Sequence, residues 1–191
     1  MSDNLKIGFA MCGSFCTFSR AFEVLERLKF SGADIYPIMS FNAYGINTRF
    51  GSAKAHIDRL ESTTGHKVIH TIEDAEPVGP KKMFDVLLVV NCTGNTLAKL
   101  ANSITDTPVT MAVKSHIRNA RPVVLSIATN DALAGSGKNI AALMNFKNYF
   151  FVPMRQDDAE KKPTSLMADF DRTEDAIIAA LDGKQLQPIL V

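Results

Sequence analysis

The 191-residue chain has no tryptophan, only three cysteines and no excess of either charge: 21 Lys+Arg stand against 20 Asp+Glu, a net +1. Each shortage excludes something. A near-neutral chain without a basic stripe lacks the grip on nucleic acid that comes from displacing counterions from phosphates. Long apolar runs are missing as well. The purely aliphatic stretches at 86–90 and 177–181 reach five residues, well short of the ~18 that a membrane span needs. The apolar stretch at 7–18 is broken by Gly13 and Ser14 and is led in by Asp3 as well as Lys6, so it does not read as a secretion signal. A soluble, cytoplasmic, single domain over residues 1–191 is expected, long enough to bury about 70% of its unfolded surface.

The cysteines make neither a disulfide framework nor a zinc site. Cys12 and Cys16 are four apart at a strand-to-helix junction, and Cys92 ends an apolar run. All three read as small buried groups in a reducing compartment. A reactive thiol at Cys12 or Cys16 is the alternative, because amides at a helix start lower thiol pKa. His66 and His70 are four apart, but no carboxylate lies between them and Lys67-Val68-Ile69 favours a strand that separates them. No metal site is expected.

What the sequence does have is alternation. An apolar run at 5–12 precedes 14–30, where Phe15, Phe18, Phe22, Leu25 and Leu28 recur on one helical face that Gly32 closes. Residues 33–39 read as a strand, 52–64 as a helix ended by Gly65, and 85–92 as an aliphatic strand covered on both faces. The proline-punctuated segment 71–82 reads as a surface loop. Helices at 97–104, 108–119, 139–145 and 172–181, with strands at 122–128 and 149–152, lead to a tail at 184–191. Parallel strands need crossovers, so the pattern predicts a three-layer α/β/α, Rossmann-like parallel sheet. Ligands bind beyond the carboxyl ends of such strands. Functional groups are therefore sought at 12–14, 40–44, 92–96 and 129–137.

At the first of these ends, Gly8 and Gly13-Ser14 form neither a Walker loop nor a Gly-x-Gly-x-x-Gly fingerprint. A strand, Gly13, Ser14 and a helix suit one phosphate monoester, although a turn plus N-cap accounts for the pair equally well. The stretch Ala134-Gly135-Ser136-Gly137-Lys138-Asn139 has Ala132 and Asn139 where a P-loop needs Gly and Ser/Thr, and reads as a flexible loop before a helix. Asn91-Cys92-Thr93-Gly94-Asn95-Thr96 is the most unusual end. A helix cap needs one Asn or Thr; this density of amides and hydroxyls favours a heteroaromatic ring or a polyol chain. Residues 126–131, Ser126 to Asp131, add another polar turn. Among Arg49, Lys99, Lys114, Arg118 and Arg155, Arg49 in Asn47-Thr48-Arg49-Phe50-Gly51 is the candidate for a substrate carboxylate.

Taken in order, several stretches resemble the FMN-binding flavoprotein family that includes the cysteine-type decarboxylases. They are Ile7-Gly8-Phe9 through Cys12-Gly13-Ser14, Asn47-Thr48-Arg49-Phe50-Gly51, Glu76-Pro77-Val78-Gly79-Pro80-Lys81, Thr93-Gly94-Asn95-Thr96, Arg118-Asn119-Ala120-Arg121-Pro122-Val123-Val124, Thr129-Asn130-Asp131-Ala132-Leu133, Gln156-Asp157, Lys161-Lys162-Pro163 and Gly183-Lys184-Gln185-Leu186-Gln187-Pro188. The resemblance runs over almost the whole chain. It implies a flavodoxin-like fold with FMN at the strand ends. Gly13 and Ser14 match the family's phosphate-binding turn and Ser40 the serine after strand two. Thr93, Gly94, Asn95 and Thr96 match the region near the flavin, and Asn130 the asparagine of Pro-Ala-Met-Asn. It further implies an oxidoreductase component of a homo-oligomer in the mother cell of a spore-forming bacterium. With a separate A chain carrying NADP, that component oxidises the dicarboxylate dihydrodipicolinate to dipicolinate. The sequence departs from the decarboxylases: Asn91-Cys92 replaces a proline, Thr129 a methionine, and no cysteine follows Cys92. These departures count against an FMN-dependent decarboxylase or prenyltransferase, which stands as one alternative; a non-catalytic scaffold for a phosphorylated ligand is the other.

Overall fold

Aliphatic runs form the centre of the sheet as β1 (Lys6–Met11), β2 (Asp34–Met39), β3 (Val86–Cys92) and β4 (Val123–Thr129). In the computed structural model, which describes residues 5–191, they run parallel in the order β2-β1-β3-β4. The first four residues of the expected domain lie outside those described. A fifth strand, β5 (Tyr149–Phe151), pairs parallel with the first half of β4. The result is the flavodoxin-like 2-1-3-4-5 order, which reverses between β1 and β3.

Alternation along β3 sends Val86, Leu88 and Val90 to one face and Leu87 and Val89 to the other, all fully buried. On the first face lie α1 (Phe18–Phe30), preceded by a 3-10 turn, and α2 (Phe41–Gly45) and α3 (Ala53–Thr64), which contribute Phe18, Phe22, Leu25, Ala43 and Leu60. The second face is covered by α4 (Ile72–Ala75), α5 (Gly94–Ala101), α6 (Pro108–Ile117) and α7 (Gly137–Met144), through Ala75, Leu97, Val109, Val113 and Leu143. The last helix, α8 (Thr173–Leu181), returns to the first face with Ala176 and Ile177.

The surface loop expected at 71–82 is instead α4 followed by a 3-10 turn at Glu76–Val78, with Ala75 and Val78 fully buried. Thr71 caps α4 by accepting from Asp74 N, and Pro77 sits in a first turn, where its missing N–H costs no internal bond. Gly79 then passes so close to α6 that a Cβ there would lie 2.1 Å from Ser115 O.

The sheet is mostly rather than wholly parallel. A hairpin of β6 (Met154–Asp158) and β7 (Lys162–Ala168) joins it, β7 running antiparallel to the end of β4 through Ala128↔Met167 and Thr129↔Leu166. The expected tail is tied to the sheet. The Gln185 carboxamide accepts from Phe151 N at 2.8 Å and donates to Phe151 O at 2.7 Å, and Leu190 bridges to Met154. At the far side, Ile69 bridges to Ile38 on β2. The histidines flanking that bridge have separate partners: His66 Nε2 lies 2.8 Å from Asp34 Oδ1, and the His70 ring stacks on Tyr44. No helix among the described residues is long and apolar enough to cross a membrane.

Candidate functional site

The reversal point is built around Asn91. The β1–β3 ladder runs to Ala10↔Val89, and the β3–β4 register shifts between Val89 and Cys92. Such a bulge re-aims a side chain. After it Cys92 joins the face of Leu87 and Val89. Asn91, fully buried, accepts from Cys12 N at 2.7 Å and donates to Cys12 O at 3.0 Å and Ser14 O at 3.3 Å. Its carboxamide thereby continues the ladder by one step and fixes the Gly13 turn.

Around this clamp two of the three thiols are buried as expected, and the third is not. Cys12 is buried, and burial pushes its thiol up to about 11 despite a hydrogen bond from Thr96 Oγ1 to its Sγ at 3.3 Å. Burial also holds the Cys92 thiol well above its usual value. Cys12 is therefore no thiolate nucleophile at neutral pH, because it ends a buried strand instead of opening a helix. Cys16, by contrast, is exposed rather than buried.

Two polar caps face each other across the reversal. Ser40 caps α2, accepting from Ala43 N at 3.3 Å. Thr93 caps α5, accepting from Thr96 N at 3.3 Å, and α5 starts at Gly94, three residues before the expected helix. The Asn-Thr cluster is thus a cap and first turn whose remaining N–H groups have no partner within the helix.

Two cavities open here, meeting at Gly13 and Thr93. The polar one, about 390 Å³, is lined by Gly13, Ser40, Asn42, Thr93, Asn95, Thr96 and Lys99 among others. The second, about 410 Å³, is walled by the Gly13-Ser14-Phe15 turn, Arg49, Phe50, Thr93, Thr129, Asn130 and the β6–β7 hairpin. The fold thus brings Gly13, Ser14, Ser40, Thr93, Asn95, Thr96, Asn130 and Arg49 to one region. Gly94 lines neither cavity. A Cβ there would lie 2.6 Å from Ser136 Oγ and 2.7 Å from Asp131 Oδ1, so this glycine lets α5 pack against the loop after β4. At Gly13 the nearest atom to an added Cβ is Asn42 Cβ at 3.5 Å, an ordinary contact, so the protein itself does not require a glycine there.

Arg49 stands on a rigid turn. Thr48 and Gly51 exchange backbone hydrogen bonds of 3.0 and 3.1 Å, Phe50 N donates to Thr48 Oγ1 at 3.1 Å, and Ala53 N donates to Asn47 Oδ1 at 2.9 Å. Gly51 takes φ +132, which a side chain would resist. The guanidinium lies 4.9 Å from the Phe50 ring centroid and has no ion-pair partner among the described residues. Lys99 is instead paired with Asp106 at 2.6 Å. Lys114, Arg118 and Arg155 line neither cavity.

The expected flexible loop at 134–139 is a series of turns fastened by Asp131, which accepts from Thr129 Oγ1 at 2.7 Å and Ser136 Oγ at 2.9 Å. Helix α7 follows at Gly137, and Ser126, expected in the polar turn, is buried within β4. Thr164 Oγ1 donates to Asn130 O at 2.7 Å, joining this loop to β7. Sequence reasoning gave the hairpin residues Asp157, Lys162 and Ser165 no site role, because their polar segment carries no apolar alternation; Asp157 and Lys162 entered only as part of the family resemblance. Chemically, the arrangement offers hydroxyls, amides and an ammonium on one side. On the other it offers a cleft with aromatic and thioether walls, the Asn130 carboxamide and the Arg49 guanidinium. That suits a ligand with a phosphate and polyol at one end and a ring at the other.

Comparison with known proteins agrees. The sequence profile of the Flavoprotein family matches residues 1–181. The chain is 47% identical over 186 residues to the B component of dipicolinate synthase from Bacillus subtilis (strain 168), covering 97% of this chain and 93% of that protein. The crystal structure of the corresponding B component of dipicolinate synthase from Bacillus halodurans C matches with a TM-score of 0.91 and 38% identity, over 99% of this chain and 97% of that one. At 17% identity, Burkholderia xenovorans DmrB in complex with FMN, a cubic protein cage for redox transfer, shares the fold with a TM-score of 0.69, over 95% and 98% of the two chains. On sequence and fold together, the chain belongs to the Flavoprotein family.

Proposed function

We propose that the chain is the flavin-holding B component of a dipicolinate-forming oxidoreductase, a homo-oligomer that works with a dipicolinate synthase A chain carrying NADP. The observation that carries this reading is the pair of cavities meeting at Gly13 and Thr93, at the β1/β3 reversal where doubly wound sheets of this order bind FMN. The similarity to the B component of dipicolinate synthase supports this choice of reaction.

The residues present fit FMN. The uncrowded backbone at Gly13, the hydroxyls of Ser40, Thr93 and Thr96, the amides of Asn42 and Asn95 and the first-turn N–H groups of α5 suit a phosphate and ribityl chain. Thr129 and Asn130 would hold the ring, with Phe15 and Met167 as apolar walls, and Ser14 stands beside Gly13 on the turn expected to take the phosphate. Gly94 serves by packing. When bound, FMN supplies a two-electron carrier. Oxidation of dihydrodipicolinate to dipicolinate removes one hydride equivalent and one proton, and the nicotinamide nucleotide of the A chain is the terminal electron acceptor. This chain's part is to hold the dicarboxylate, with Arg49 on one carboxylate, and to keep water from the ring. The reading places the enzyme in the mother-cell cytoplasm during spore formation.

Adding FMN to the purified chain tests the cofactor: a bound flavin spectrum and a raised melting temperature are expected, as for any ligand of the folded state alone. Mixing the chain with the A chain, NADP and dihydrodipicolinate tests the reaction. Dipicolinate formation unchanged by this chain would overturn its assignment.

A further inference from the structure

Three charged side chains line the 410 Å³ cavity: Arg49, Asp157 and Lys162. Arg49 comes from the rigid turn after β2, whereas Asp157 and Lys162 belong to the two strands of the hairpin. The hairpin itself is well fixed. Gln156 Nε2 donates to Pro163 O at 2.9 Å, and Asp158 Oδ1 accepts from Glu160 N at 3.2 Å and Lys161 N at 3.0 Å, closing the turn. Lys162 Nζ donates to Asp157 Oδ2, and its side chain is half exposed. The Asp157 carboxylate therefore both holds the ammonium in position and keeps it protonated. An ammonium has three donors, and Asp157 takes one. Two remain for another acceptor in the cavity.

We propose that Lys162 is the second carboxylate anchor of this cavity. A ring dicarboxylate sets one carboxylate on the Arg49 guanidinium and the other on the Lys162 ammonium, so the chain separates dicarboxylates from monocarboxylates. The inference rests on the reading that this cavity takes the substrate. It assigns selectivity to the hairpin, a segment outside the parallel core. Asp157 is the positioning residue that keeps Lys162 on the cavity wall instead of free in solvent.

The test uses the full chain loaded with FMN, titrated calorimetrically with pyridine-2,6-dicarboxylate and with pyridine-2-carboxylate. The unaltered chain is expected to prefer the dicarboxylate by about tenfold or more, the scale of one charge-assisted hydrogen bond. Lys162→Met should remove that preference by weakening the dicarboxylate alone, and Lys162→Arg should keep most of it. FMN affinity and melting temperature should be unchanged in both, since Lys162 is exposed on the hairpin. A preference that survives Lys162→Met, or equal weakening of both ligands, overturns the anchor and leaves the substrate-cavity reading standing. An unaltered, FMN-loaded chain that binds both acids equally also overturns the anchor. If that chain binds neither acid, the substrate-cavity reading falls and takes the anchor with it.

Discussion

The Asn91 side chain and the Cys12 main chain are paired through both of their polar groups, at 2.7 and 3.0 Å, so that one carboxamide stands in for a strand's next residue. Replacing it with Asn91→Leu strands the N–H and C=O of Cys12 in a buried place. Each such group costs about 1–3 kcal/mol. The melting temperature should fall by roughly 5–15 °C, and FMN affinity should fall with it because the Gly13 turn loosens. A variant that melts like the original would show that the clamp is not needed.

The two glycines of the site should respond in opposite ways. Gly94→Ala pushes a methyl group into Ser136 and Asp131, an overpacking expected to cost about 1–3 kcal/mol in urea unfolding. Gly13→Ala meets nothing nearer than 3.5 Å and should leave the flavin-free protein as stable as before or slightly more so, while FMN binding drops at least tenfold. Equal FMN affinity in Gly13→Ala would remove that residue from the cofactor site.

Burial lowers the His116 pKa to about 4, and its Nε2 lies 3.1 Å from Pro122 O. The folded value is below the unfolded one near 6.5, so the unfolded chain takes up the proton first. Stability from this residue is fully present above about pH 6.5 and declines towards pH 4, by a total on the order of 3 kcal/mol. Unfolding free energies at pH 7 and pH 4.5 should differ more for the original chain than for His116→Gln; identical pH slopes would contradict this.

Native thiol titration should find one fast-reacting group. Cys16 is exposed and lines the larger cavity, while Cys12 and Cys92 are fully buried. Cys16→Ser should abolish the fast phase, and bound FMN should slow it in the unaltered chain. Three equally fast thiols would mean that the β1 and β3 ends open readily.

Arg49→Met should leave the melting temperature within about 1 °C, because the guanidinium has no ion-pair partner among the described residues and exposed substitutions are nearly neutral. Binding of pyridine carboxylates should weaken about tenfold. Unchanged binding would free Arg49 from a substrate role.

The core was legible because its strands are unbroken aliphatic runs: the 85–92 segment announces burial on both faces without any tertiary information. The Glu76-Pro77-Val78 segment was misread because proline breaks a helix interior but sits comfortably in a first turn. The β6–β7 hairpin left no periodic signal, since Arg155, Gln156 and Asp157 are all exposed and alternate with nothing apolar; its Gln156-Asp157 and Lys161-Lys162-Pro163 stretches showed only in the family resemblance. Within the site, the Thr93–Thr96 cluster stood out by composition. The packing role of Gly94 did not, because it depends on how close Asp131 and Ser136 come from 37 or more residues away. Lys162 was indistinguishable from its neighbour Lys161 until the hairpin set it on a cavity wall.

Gln185, whose carboxamide occupies Phe151 N and O, has a consequence for assembly. With Ile69 docked on β2 at Ile38 and Leu190 on β6 at Met154, part of the hydrogen-bonding rim at each edge of the sheet is taken up by the chain's own residues. That shortens the template on which a foreign strand could grow. A partner, whether a copy of this chain or a catalytic one, is then better recognised by side chains on the helical faces and loops, where fit can be selective, than by shared backbone, where any extended peptide would serve.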